Sequence, residues 1–216
     1  MTSIEGLNLD IKGDANQVDI DESSKFSRSR ITVTGSNNKI KLGQALNYNN
    51  LILNLKGNNK TIAIEETGKN INGLKIVSIR GDNQIVTIGK NFSCGGLEIQ
   101  MNDGDEALAI GNDCLFSWGL KMRTSDGHSI IDLETGQAIN SPKNIEIGSH
   151  VWIGEDVKVL KGGKVPNNTV VGSFSVITKP FSEENTILAG TPAKIVKEGI
   201  NWDREMPSKF NAKIKS

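Results

Sequence analysis

The sequence predicts an all-β solenoid, a parallel β-helix whose stacked triangular coils bury one continuous aliphatic core. Three observations carry that prediction. Six stretches resemble one another when aligned on their glycines: IKGDANQVDI, VTGSNNKIKL, LKGNNKTIAI, IRGDNQIVTI, MNDGDEALAI and TSDGHSIIDL. The glycines are Gly13, Gly35, Gly57, Gly81, Gly104 and Gly127, spaced by 22, 22, 24, 23 and 23 residues. Downstream, Ile147, Ile153, Val159, Val165, Val171 and Ile177 recur every six residues without a slip. Aromatic residues are only 5% of the chain while Gly, Asn and Ile abound, which suits short strands joined by tight turns.

Each upstream repeat reads as strand, turn, strand. Alternating apolar and polar residues precede the glycine, Asn/Asp turn chemistry follows it, and a second short alternating strand closes the unit. In the downstream hexads, a small or β-branched residue sits four places after each of the first five aliphatics: Val151, Val157, Gly163, Thr169 and Ser175. A unit with one inward aliphatic and one small residue is one face of a triangular coil, so three units make a turn of about 18 residues. The longer upstream period is then the same coil with loop residues added. An ordinary β-sandwich would give neither glycines in step nor an unbroken hexad.

These periods divide the chain. Residues 1–182 form the β-helix, with irregular coils to about 131, an expelled loop at 132–144 (DLETGQAINSPKN) and hexapeptide coils at 145–182; residues 183–216 form a C-terminal extension. Thr135-Gly136 and Ser141-Pro142 are turn signals inside the loop, and a polar segment expelled from a solenoid is suited to wall a binding site. The tail NWDREMPSKFNAKIKS is polar and basic, expected to be irregular or a short helix.

Composition narrows function. Lys plus Arg equals Asp plus Glu at 25 each, so bulk charge gives no sign of nucleic-acid binding. The N-terminus lacks the n- and h-regions of a signal peptide and no run of 18 apolar residues occurs, so a cytoplasmic protein without a transmembrane segment is expected. Cys94 and Cys114 are read there as buried thiols rather than a disulfide.

One substitution in the upstream repeats stands out. The residue after each aligned glycine is Asp14, Ser36, Asn58, Asp82, Asp105 and then His128. The turn would be served equally well by Asn or Asp, whereas imidazole is the side chain matched to proton transfer near neutral pH. A turn histidine without function is the plainer alternative, since histidine tolerates left-handed backbone.

The run SDGHSIIDLETGQAIN…NIEIGSHVWIGEDVKVLKGG…VVGSFSVITKPF…AGTPAKIV, over about residues 120–200, resembles the hexapeptide-repeat acyltransferases, and among them bacterial capsule and polysaccharide O-acetyltransferases, including the branch that acetylates sialic acid polymers. The resemblance implies a left-handed coil, acetyl-CoA as donor, and a reaction needing neither a metal nor a covalent enzyme intermediate. It implies His128 as general base and Trp152, in VWIG, beside the thioester with its backbone N–H as oxyanion donor. Gly172, Ser173, Thr178 and Lys179 match the family's pantetheine-contacting segment, and Lys194 and Lys197 match positions often basic near the CoA phosphates; solvated lysines are an equal reading. The LKGGKV stretch, with Gly162-Gly163 and Lys164, departs from the family hexad.

Ser125, Asp126 and Asp132 are candidates to orient the base or ordinary turn residues, His150 reads as a surface or packing histidine, and Trp118 reads as packing with the acceptor groove as alternative. The function expected is O-acetyl transfer to a sugar hydroxyl of a bacterial surface polysaccharide, by a homotrimer with active sites between subunits. A small amino sugar or other small acceptor is the alternative, and a non-enzymatic scaffold the weaker one. A three-histidine zinc site is ill served by two histidines.

Overall fold

In the computed structural model, which describes residues 4–214 and so leaves residues 1–3 and 215–216 of the expected ranges outside it, the chain winds repeatedly through three sheets of eight, seven and nine strands. All pairings within the sheets are parallel except the last, where Ile187–Gly190 meets Ala193–Lys197 antiparallel. The first sheet starts with Leu7–Lys12 and ends with Val176–Ile177, and each strand pairs with the one a full coil later. Its inward row runs Ile31, Leu53, Ile76, Ile99, Met122, Val159 and Ile177 in register. Every member of that row is fully buried. A fully buried aliphatic of this kind contributes about 1.5–3 kcal/mol, so a column of them holds the coils together without helices.

Both sequence periods are coil lengths. Ile31 lies opposite Leu53, a step of 22 residues, and Ile147, Ile153 and Val159 lie opposite Val165, Val171 and Ile177, steps of 18. The hexad aliphatics and the small residues Val151, Val157, Thr169 and Ser175 are all buried. Gly162-Gly163 fits the coil because Gly162 turns at φ +76° and a Cβ on Gly163 would strike Val159 Cγ1 at 2.8 Å. The two cysteines are buried free thiols on adjacent coils, with burial pushing both up to about 12.

The upstream glycines stack at the corner between the first and second sheets. Gly35 adopts φ +135°, and a Cβ there would fall 2.0 Å from the Gly57 carbonyl oxygen, so the coils approach too closely for any side chain. Side chains of the next residues form a ladder: Ser36 Oγ accepts from Asp14 N–H, Asn58 Oδ1 from Ser36 N–H and Asp82 Oδ1 from Asn58 N–H. The left-handed position is mostly one place later, at Ala15, Asn37, Asn59 and Asn83.

A second ladder lies inside the same corner. Asn38 Oδ1 accepts the Lys60 N–H, and the buried Lys60 ammonium donates to Ser78 O, Ser78 Oγ and Gln84 Oε1. Gln84 Nε2 then donates to Glu106 Oε2, and Thr124 Oγ1 to Glu106 Oε1. These residues are buried, so the corner is polar inside the otherwise aliphatic prism.

Two expectations about boundaries change. The first-sheet strand Leu120–Arg123 is the last element before the chain leaves the prism, and the next strand, Ile145–Ile147, takes up the second sheet. Thr124 and Ser125 are still buried in the corner, so the expelled segment is about 126–144, longer than 132–144, and the residues just after Gly127 form no strand of the prism. The loop closes instead as its own small hairpin through an Ile131–Ala138 bridge. Beyond 182, Ile187–Gly190 still pairs with Val170–Val171, so the coil runs into the expected extension before a short helix at Pro207–Ile214.

Candidate active site

His128 sits in the expelled loop, where the chain leaves the corner between the first and second sheets. It is not a rung of the turn ladder. Beyond Asp105 the stacking ends, because the strand that would supply the next rung has left the coil. The histidine that does hold a left-handed turn position is His150 (φ +55°), in line with Asn91, Asp113, Asn168 and Asn185 at the corner between the second and third sheets. His128 is exposed, and no described side chain bonds its imidazole; only its backbone carbonyl is held, by Asn140 Nδ2 at 2.8 Å.

The base of the loop is clamped tightly. Lys161 Nζ lies 2.6 Å from Asp126 Oδ2 and donates to the Asn140 carbonyl at 2.7 Å, while Asn140 Nδ2 also donates to Asp126. Lys161 and then Asn140 hold the Asp126 carboxyl below the usual carboxylate range. Arg80 Nη1 donates to the Gly127 carbonyl from two coils earlier. Asp132 accepts from Thr135 N–H and Oγ1–H and from Glu134 N–H, which lowers it likewise. Both carboxylates thus shape the loop and neither bonds the His128 ring. Ser125 is buried and its Oγ has no partner among the described residues. The loop presents Ile130, Leu133 and Ile139 to solvent, with Leu133 98% exposed, an unusual outlay of apolar surface for one short segment.

Trp152 lies on the third sheet, in the strand Trp152–Ile153, and the residue is 41% exposed. Its N–H already donates to the Thr169 carbonyl at 3.0 Å, and the Gly172 N–H to Leu188 at 2.8 Å. An oxyanion or pantetheine contact from either N–H would share a proton that the sheet uses, whereas the Trp152 side chain stands open on the face of the third sheet. Ser173 Oγ accepts from Glu155 N–H, and Ser173, Thr178, Lys179, Lys194 and Lys197 are exposed, Lys179 beside the Phe181 ring and the last two on Ala193–Lys197. Trp118 corrects the packing expectation: it is 59% exposed at the corner between the third and first sheets.

The sequence reading missed the strap that follows the last strand. Trp202 is buried, stacks on His150 at 4.5 Å, lies 6.0 Å from Trp152, and donates its indole N–H to the His150 carbonyl. His150 is thus the packing residue expected of it. Arg204 reaches back to Ser93 Oγ and the Cys114 carbonyl. A lone tryptophan in a polar tail was the signal for a docked segment. Trp202→Ala is expected to cost about 3 kcal/mol and to free the tail, whereas Trp202→Phe keeps most of the stack. Denaturant midpoints with protease cleavage beyond residue 198 check this.

No helix among the described residues is long and apolar enough to cross a membrane. No family model matches the chain. It is 38% identical over 206 residues to a polysialic acid O-acetyltransferase of Neisseria meningitidis, covering 95% of this chain and 91% of that one. A polysialic acid O-acetyltransferase of Escherichia coli O1:K1 / APEC is 34% identical over 130 residues, 60% of this chain and 41% of the relative. Two solved structures share the fold over nearly the whole length. The polySia-specific acetyltransferase NeuO superposes with a TM-score of 0.76 at 26% identity, covering 97% and 99% of the two chains. The polysialic acid O-acetyltransferase OatWY gives 0.65 at 33% identity, covering 92% of each. With its three parallel sheets and its match along almost the full length of the meningococcal relative, the chain is an acyltransferase with a left-handed β-helix and belongs to the polysialic acid O-acetyltransferases of the hexapeptide-repeat family.

Proposed function

We propose that the protein transfers an acetyl group from acetyl-CoA to a hydroxyl of a capsular polysaccharide containing sialic acid, with His128 as general base. The imidazole takes the hydroxyl proton as that oxygen attacks the thioester carbonyl. The tetrahedral intermediate collapses, the C–S bond breaks, and the imidazolium returns its proton to the departing CoA thiolate. Such a base is worth ~10²–10⁴-fold. The Trp152 ring flanks the acyl group, and Lys194 and Lys197 meet the CoA phosphates.

One observation supports placing this chemistry between subunits. His128 leaves from the corner of the first and second sheets, while Trp152 lies on the third, so one chain presents the two on different sides of its prism. A homotrimer in which the loop of one chain faces the third sheet of the next unites them, and it covers the exposed Ile130, Leu133 and Ile139.

Mixed oligomers test this. His128→Ala and Trp152→Ala are each expected to be nearly inactive toward sialic acid polymer and acetyl-CoA. Co-refolded in equal amounts they should regain about a quarter of wild-type activity, the share of random interfaces with both residues intact. No recovery from a mixture shown to be trimeric, or a fully active monomer, overturns the shared site.

A further inference from the structure

The corner between the third and first sheets carries a trough floored largely by glycine backbone, with the Asp156 carboxylate lying over its Gly119 end. Gly73, Gly96 and Gly119 lie one above another there, and the hollow, about 240 Å³, has Lys75 and Lys121 on its first-sheet wall. On that wall Lys75, Glu98, Lys121 and Lys158 stand in register on four successive coils, about 4.8 Å apart per coil. Glu98 is paired with Lys75 at 3.3 Å, whereas Lys121 and Lys158 form no ion pair among the described residues. The other faces of the same coils differ. The third sheet turns out Ser93, Leu115, Trp152 and Val170, all uncharged, and on the second Glu146 pairs with Lys164 at 3.1 Å. Two cations without an ion pair among the described residues, Lys121 and Lys158, therefore stand on the wall of the trough, against one carboxylate, Asp156, at its Gly119 end.

The row also leads to the candidate base. Arg123, two residues beyond Lys121 in the same strand, ends the first-sheet strand from which the His128 loop departs, and its buried Nε has no hydrogen-bond partner. Trp118, exposed at the same corner, adds an aromatic face at the trough's end. A glycine floor the size of one sugar ring, a lysine wall and an open indole make a surface for a sugar that carries a carboxylate.

We propose that this trough is a subsite for the acidic sugar units flanking the reacting one, so that the acceptor chain runs along the lysine row towards His128. The inference rests on the acceptor class proposed above and adds where that polymer is held and by which charges.

Two kinds of variant separate charge from shape. Lys121→Gln with Lys158→Gln removes the unpaired cations from the surface. Gly96→Ala fills the floor: Gly96 has an ordinary backbone conformation, and a Cβ there meets nothing closer than 3.6 Å. Thermal unfolding should match wild type in both. Each should raise KM for long polysialic acid about five- to tenfold, with kcat and the KM for acetyl-CoA unchanged. The lysine variant should also flatten the dependence of polymer binding on salt, while Lys209→Gln, in the C-terminal helix, changes nothing. Equilibrium binding of polysialic acid, against a neutral dextran, is measured alongside turnover. Unchanged polymer KM and binding in both variants overturn the proposal, as does an equal loss with dextran. Should the wild-type protein bind polysialic acid without acetylating it, the proposed function fails, and the trough stands only if its variants lose that binding.

Discussion

Alanine in place of His128 is expected to lower kcat by at least ~10²-fold while leaving acetyl-CoA binding and the fold intact. The environment of the residue makes the experiment clean. The ring is exposed and bonds no described side chain, so removing it leaves no buried group unpaired. The loop is held by other means: the Asp126–Lys161 pair, Asn140 and the Arg80 contact to Gly127 all survive, and Asn140 still meets the backbone carbonyl of residue 128. A loss of turnover therefore cannot be assigned to a collapsed loop. His150→Ala is the contrasting variant, because its ring packs on Trp202 and its loss should lower stability more than chemistry. Steady-state kinetics with acetyl-CoA and a sialic acid polymer, alongside CoA binding by calorimetry, read both outcomes. Near-normal turnover in a folded His128→Ala protein would remove the general base from the mechanism.

Lys60→Ala is expected to cost about 3–5 kcal/mol of stability, the largest effect foreseen for a residue outside the chemistry. It deletes the donor that serves Ser78 and Gln84 and opens a cavity inside the prism corner. The charge also has a pH signature. Burial pushes the Lys60 ammonium down to about 8, against the pull of Asp82 and Glu106. The folded chain thus sheds this proton near pH 8 while the unfolded chain keeps it to about 10.5, so stability rises with pH inside that window. From pH 8 to 9 the contribution of Lys60 alone should be on the order of 1 kcal/mol. The buried thiols oppose this contribution from about pH 8 upward, and Tyr48 joins them later, because burial raises Cys94, Cys114 and Tyr48 and the folded chain holds protons the unfolded chain releases. Urea midpoints at pH 8 and pH 9 for wild type and Lys60→Met check the sign. The stability difference between wild type and variant should grow by that amount from pH 8 to 9, and a difference that stays constant would remove Lys60 as its source.

The sequence by itself determined the prism. A hexad such as Ile147 to Ile177 and glycines 22–24 residues apart are local patterns, and each coil repeats the same burial problem, so periodicity alone places every inward residue. It also singled out His128, though by an argument the fold does not share: the imidazole was read as a misplaced rung of a turn ladder, yet the chain has left that ladder, and His150 is the histidine that holds a turn. What only the tertiary structure decided lies where contacts join residues far apart in the chain. The loop begins near 126 because Asp126 and Asn140 close on Lys161, a contact no period announces. Trp202 packs on His150 across 52 residues, Arg204 reaches Ser93 across 111, and the trough exists because three glycines on successive coils meet at one corner. A repeat fixes what each coil does to its neighbours in the stack; segments that leave the stack are fixed by whatever they land on, and that is set by geometry rather than by spacing.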